Sequence, residues 1–199
     1  MRSESEETRS SLNHLIEAGD FHSLLMEAEA MVDAEADSYV GYWWRGRALT
    51  LQGRLDEAVK AFYDAVKHAD DDHEESRIMA SLANVFNMRG DYDMGLDYSE
   101  VALELDPGNP GAVLARVVAL AATGREKEAS EHLHSRWGRL RDGYERACGY
   151  AVTGQRAKML EALREDLSIN PHHRVTVLHD PEFRPYLRSP ELRALLKNS

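Results

Sequence analysis

The 199-residue sequence has one cysteine, six prolines and no apolar run approaching the length of a membrane-spanning helix. Each scarcity removes a class of protein. A lone Cys148 excludes an internal disulfide framework and a zinc site built from several cysteines, and it is compatible with a reducing compartment. A spanning helix needs roughly 20 consecutive apolar residues, and the opening stretch MRSESEETRS lacks the apolar centre of a secretion signal. The expectation is a soluble, cytoplasmic chain with no membrane insertion. Positive charge is also in short supply, with 24 Lys and Arg against 35 Asp and Glu and a net charge of −11. Such a chain has no non-specific grip on nucleic acid or on an anionic bilayer, and a partner steered to it over long range carries positive charge. No glycine-rich phosphate loop, GxSxG elbow, HExxH pair or Cys-His-Asn spacing occurs. No catalytic residue, metal ligand or cofactor is therefore assigned, and the chain is expected not to be an enzyme.

What the sequence does contain is a repeat. A turn glycine recurs in EAGDF at Gly19, LQGRL at Gly53, MRGDY at Gly90, ATGRE at Gly124 and VTGQR at Gly154, with spacings of 34, 37, 34 and 30 residues. Apolar and small residues at helical spacing precede each glycine, such as Tyr42, Gly46 and Leu49, and follow it, such as Leu55, Ala58, Val59, Phe62 and Ala65. Each unit is thus a helical hairpin whose turn uses the left-handed backbone that glycine adopts without a Cβ penalty. Gly46, Ala83, Ala58, Gly95 and Ala129 are the positions where two helix backbones are expected to approach closely, with Leu49, Phe86, Leu120 and Tyr150 filling space between them. Proline at 107 and 171 marks the ends of second helices.

These residues resemble the tetratricopeptide repeat family, whose unit of about 34 residues is a helix-turn-helix. The second unit carries the pattern through Tyr42, Gly46, Leu49, Gly53, Ala58, Phe62 and Ala65, and the third through Leu82, Ala83, Phe86, Gly90, Gly95, Ala102 and Pro107. The fifth keeps Ala147, Tyr150, Gly154, Leu163 and Pro171; the first is degenerate, and the fourth departs with Val117 and Arg136. The resemblance implies an all-α fold, an α-solenoid of about five hairpins forming a right-handed superhelix over residues 1–173, with units at 5–38, 39–72, 76–109, 110–139 and 140–173. Two irregularities are expected: an exposed acidic loop over 68–75, and a clipped or abruptly turned stretch over 136–143. Residues 174–199 read as a helical cap. Asp180-Pro181-Glu182 and Ser189-Pro190-Glu191 each supply a capping side chain, a proline for the first helical position and an acid for the first turn. This closing segment is similar to those that follow tetratricopeptide arrays in bacterial proteins.

The resemblance further implies that first helices line a concave groove, and i, i+4, i+7 spacing marks the lining stripe. It runs through Arg9, Asn13 and Ile16; Trp43, Arg47 and Thr50; Ala80, Asn84 and Asn87; Leu114, Val118 and Ala121; and Tyr144, Cys148 and Ala151. The groove is expected to be polar and cationic at one end and apolar at the other. Arginine forks bind carboxylates bidentately, asparagine amides match a peptide backbone, and Trp43 would offer a flat platform. The set Arg9, Asn13, Arg47 and Asn84 is similar to the carboxylate clamp of some tetratricopeptide proteins, although Ala80 stands where that clamp has a basic residue. Trp43 and Trp44 cannot face the same way on a helix, and Trp44 is assigned to the core. The apolar half, Leu114, Val118, Ala121 and Tyr144, is open to a partner's side chain or helix, to a second copy of the chain, or to the chain's own tail.

The function expected is a protein-protein interaction module of the adaptor, scaffold or co-chaperone type, holding an extended segment of another protein. A self-assembling homo-oligomeric scaffold is the first alternative. A small metal-binding or enzymatic protein using the histidine-rich loop near His172, with His173, His179 and Asp180, is the second.

Overall fold

The computed structural model describes residues 6–136, 143–171 and 173–197. Ten helices form five consecutive hairpins: α1 (Glu6–Glu17) with α2 (Phe21–Ala34), α3 (Tyr39–Leu51) with α4 (Leu55–Val66), α5 (Asp72–Arg89) with α6 (Tyr92–Leu105), α7 (Pro110–Ala122) with α8 (Glu126–Ser135), and α9 (Gly143–Val152) with α10 (Arg156–Ile169). They are followed by α11 (His173–His179), a 3-10 helix over Pro181–Tyr186 and α12 (Pro190–Lys197). No strand occurs among the described residues. The fold is an all-α solenoid of helical hairpins.

The repeating glycines build the turns. Gly19, Gly53, Gly90, Gly124 and Gly154 are the residues with positive φ, between +70° and +84°. In each turn the residue after the glycine donates its N–H to the carbonyl five positions back, at Leu15, Leu49, Phe86, Leu120 and Tyr150, over 2.8 to 2.9 Å. This is the Schellman arrangement, which satisfies helix-end carbonyls while reversing the chain. Arg54 and Arg125, next in line, each fork onto a glutamate three residues on, Glu57 and Glu128. Those exposed pairs decorate the first turns of α4 and α8.

Small residues set the helix-to-helix distance. A Cβ added to Gly46 would lie 2.5 Å from the Phe62 ring, so α3 and α4 pack as closely as they do only with glycine there. Trp44, Ala58, Phe62 and Ala65 are fully or almost fully buried in the same hairpin. One apolar core runs from Leu12 to Leu133, a second joins Ala147 to Leu192, and Leu114 packs against both.

Two expectations are corrected. The stretch 68–75 is not a loop throughout: the Asp71 side chain accepts from Glu74 N–H at 2.9 Å, and α5 starts at Asp72 with three acids in its first turn. Negative charge favours that helix end, so the additional residues lengthen α5 instead of the connection. Beyond Pro171 the chain forms α11 before the first expected helix start, and the short helix that Asp180 opens is a 3-10 helix. Pro185 lies inside it and has no N–H to donate. The irregularity expected over 136–143 falls largely on residues 137–142, outside the described residues.

The tail covers the last hairpin. Val177, Phe183 and Leu192 are completely buried against Met159, Leu163 and their neighbours, and Glu191 pairs with Arg156 at 2.5 Å. The tail also reaches the other end of the array, where α11 packs against α1. The trough between the first helices is therefore bridged across its mouth.

Candidate functional site

Helices α3, α5, α7 and α9 surround a cavity of about 530 Å³. Trp43, Arg47, Thr50, Asn84, Leu114, Val118 and Tyr144 all line it, because each lies on the face of a first helix that its own second helix leaves uncovered. Three other assigned residues stand apart. Arg9 and Asn13 line a shallow depression along α1 with Glu6, Glu7 and Glu17, and only the last turn of α1 reaches the cavity, through Ile16. The fourfold clamp of Arg9, Asn13, Arg47 and Asn84 is thus not assembled. Asn87 is buried and donates its amide to the Ala115 carbonyl at 2.8 Å. It ties α5 to α7 because the helix turns past the groove by that position.

Trp43 is not an open platform. Its side chain is buried, its indole N–H donates to Ser81 Oγ at 3.0 Å, and the Arg77 guanidinium carbon sits 3.6 Å from the ring centroid. Arg47 approaches the same ring at 4.9 Å and that of Trp44 at 4.7 Å. Trp44 itself is core, fully buried. Arg77 is a cavity residue absent from the sequence-based set. Its signal was available, since residues 77, 80 and 84 continue the stripe by one turn, but a loop expected up to residue 75 left no room for that turn. The Arg77 guanidinium also donates to the Tyr39 hydroxyl at 3.3 Å. The N-terminal half of the cavity thus has a wall of two guanidinium groups on an indole, beside the exposed Asn84 amide and the Thr50 hydroxyl, which bonds back to Gly46 O.

The C-terminal half is closed by the tail. Val175, Thr176, Asp180 and Glu182 line the same cavity as Leu114, Val118, Tyr144 and Cys148. The Tyr144 hydroxyl donates to Asp180 Oδ2 at 2.5 Å, and the Cys148 thiol lies 3.8 Å from the same oxygen. Burial pushes the Asp180 carboxyl up to about 6, against the opposing pull of those two donors. Burial, with Cys148 and Asp180 close by, holds the Tyr144 phenol well above its ordinary range. The Tyr144 ring further packs on Phe183 and His173, with centroids at 5.7 and 4.9 Å. The chain's own tail covers part of the apolar half. The four tail residues had no periodic signal: Val175 and Thr176 lie on a helix of seven residues, Asp180 and Glu182 at the start of the 3-10 helix, and both elements meet the groove only in three dimensions.

Among the described residues no group of three or more His, Cys, Asp and Glu is arranged to hold a metal ion. His172 lies outside them. His173 engages Asp166, Nδ1 to Oδ2 at 2.7 Å, and Asp166 also accepts from Asn170. On α8, burial and the neighbouring Arg116 and Arg136 push His132 down to about 4, which keeps it neutral near pH 7, while His134 is exposed. No described helix is long and apolar enough to cross a membrane.

The comparisons with known proteins agree with this architecture. No family model matches the chain. It is 27% identical over 85 residues to the photosystem I assembly protein Ycf3 of Cyanophora paradoxa, covering 43% of this chain and 49% of that protein. It is 26% identical over 101 residues to Ycf3 of Acaryochloris marina, covering 51% and 61%. The chain thus spans about half the length of the curated relatives it matches. A tetratricopeptide repeat protein from Parabacteroides merdae superposes with a TM-score of 0.51 at 16% identity, covering 87% of this chain and 70% of that one. MamA MSR-1 does so with a TM-score of 0.51 at 21% identity, covering 84% and 95%. The fold of this chain is the tetratricopeptide repeat fold.

Proposed function

We propose that the chain is a non-enzymatic protein-protein interaction module that holds a short segment of another protein in the N-terminal half of its groove. The observation that carries this reading is the convergence of Arg47 and Arg77 on one indole, beside Asn84, at the wall of a 530 Å³ cavity. Two guanidinium forks present planar donors matched to a carboxylate, and the Asn84 amide can both donate to and accept from a peptide unit. The size lies within the range of pockets that hold one small ligand, so the contact is with a few residues and not with a long strand. The net charge of −11 repels acid-rich chains at long range, but screening limits that field to about 8 Å at physiological salt. The partner segment is accordingly one with a single carboxylate in a neutral or basic context. The fold and the Ycf3 relatives, which are described as assembly proteins, support a role in contacting other polypeptides.

The test is a peptide recovered by pull-down from the native cell and measured by fluorescence anisotropy. Arg47→Ala is expected to weaken it by about 1 to 3 kcal/mol, the cost of truncating a charged hydrogen-bonding partner. Arg9→Ala, remote from the cavity, is expected to leave it unchanged. Equal affinities for wild type and Arg47→Ala would remove the groove from the reading.

A further inference from the structure

The second helices form the outer side of the array, and one of them, α6, has an apolar stripe that its packing does not use. Its core face is made by Gly95, Ser99, Ala102 and Leu103, all buried. A separate line at i, i+4, i+7 and i+11 runs through Met94, Tyr98, Val101 and Leu105. Tyr98 and Leu105 reach inward to the core, Tyr98 stacking on Phe86 with centroids 5.2 Å apart, whereas Met94 and Val101 are each 39% exposed. No other described second helix exposes two large apolar residues. On α4 the stripe finds one more member, Tyr63, 41% exposed, whose hydroxyl meets that of Tyr98 at 2.5 Å. The two helices otherwise barely touch.

The charge beside this stripe has one sign. Asp93, Asp97, Glu100 and Glu104 occupy the adjoining face of α6, which has no Lys or Arg. Glu100 is engaged by Arg116 at 3.5 Å. On the α4 side Lys67 is paired with Asp64 at 2.7 Å, and Lys60 acts on Glu57. We infer that the outer face of α6, edged by Tyr63, docks a basic amphipathic helix of another protein, whose apolar side seats on Met94, Tyr98 and Val101 and whose Lys or Arg flank meets Asp97 and Glu104. This surface lies outside the cavity and does not depend on what the cavity holds. The stripe covers three helical turns, the register in which a partner helix presents its anchors. The carboxylates select a basic flank, and the net charge of −11 steers such a segment inward. A second copy fits poorly, because a two-fold contact through this face would set its acidic edge against itself.

The experiment uses the full chain and a fluorescein-labelled synthetic peptide of about 18 residues, long enough to form a helix, with a leucine stripe flanked by lysines. Its anisotropy is expected to rise on binding, and the affinity to fall as salt is raised from about 0.1 to 0.5 M. The exposed pair Met94→Ser and Val101→Ser, made together, is expected to weaken binding about tenfold or more by removing the central anchors. Asp97→Lys with Glu104→Lys should weaken it as well and flatten the salt dependence, while Arg47→Ala should leave it unchanged. Absence of binding, equal binding by the serine variant, or equal binding of a scrambled peptide of the same composition would overturn the inference, the last two by reducing it to general charge attraction. Sedimentation of the chain alone should show a monomer; self-association abolished by the serine pair would give the face to a second copy and overturn the inference too.

Discussion

The Arg77 guanidinium lies over the Trp43 indole at 3.6 Å from the ring centroid, and Arg47 comes to the same ring at 4.9 Å. Two cations on one ring repel each other and are offset by the π face and by hydrogen bonds such as that to Tyr39. The pair spans α3 and α5, so it joins two repeats and shapes the cationic end of the cavity together.

Arg77→Ala is expected to lower stability by about 0.5 to 2 kcal/mol in urea denaturation, the usual worth of a partly desolvated cation-π contact. Acrylamide quenching of tryptophan emission should rise as the indole face is uncovered. Unchanged stability and quenching would show that Arg77 only rests on the ring.

Gly46→Ala tests the closest approach of two helices. The new Cβ would meet three atoms of the Phe62 ring at 2.5 to 2.8 Å. Overpacking of this kind costs roughly 1 to 3 kcal/mol, and the second substitution Phe62→Leu should recover part of it. Gly53→Ala meets no crowding but must hold φ near +75°, at a cost of about 1 to 2 kcal/mol for a side chain in the left-handed region.

Asn87 and Gly95 form one unit. Asn87→Ala leaves the Ala115 carbonyl without its amide donor and is expected to cost about 1 to 3 kcal/mol. Gly95→Ala would place its Cβ 2.0 Å from Asn87 Oδ1 and should destabilise as well. The double variant is expected to cost less than the two single changes added together, because removing the amide relieves the crowding. Strict additivity in a double-mutant cycle would contradict the contact.

Docking of the tail should depend on pH through Asp180. The groups facing that carboxyl are the Tyr144 hydroxyl and the Cys148 thiol of α9, with Glu182 in its own turn. Its folded pKa, about 6, is raised above the unfolded value of 3.8. The folded chain thus holds the proton more tightly, so the contribution is complete below about 4 and is lost as pH rises through about 6. Hydrogen exchange over 173–186, corrected for intrinsic rates, should show stronger protection at pH 5 than at pH 7.5, by an amount on the order of 1 to 3 kcal/mol. Asp180→Asn should abolish the difference.

The hairpins, their turns and the choice of Trp44 as core were legible in the sequence, because glycine geometry and helical periodicity act over a few neighbouring residues. The five Schellman turns sit at the five recurring glycines, and ten stripe residues share one cavity. Arg9, Asn13 and Asn87 were misplaced for a different reason: a stripe states which way a side chain points from its own helix, not how far along that helix the groove extends. Local chemistry also determined that residues 180 and 189 open short segments. Only the tertiary structure decided that Asp180 lies under Tyr144, that Arg77 lies on Trp43, and that α11 meets α1. These contacts join residues some 34 to 160 positions apart, and they follow from how the stacked hairpins curve, a sum of small rotations at every interface that no single motif encodes.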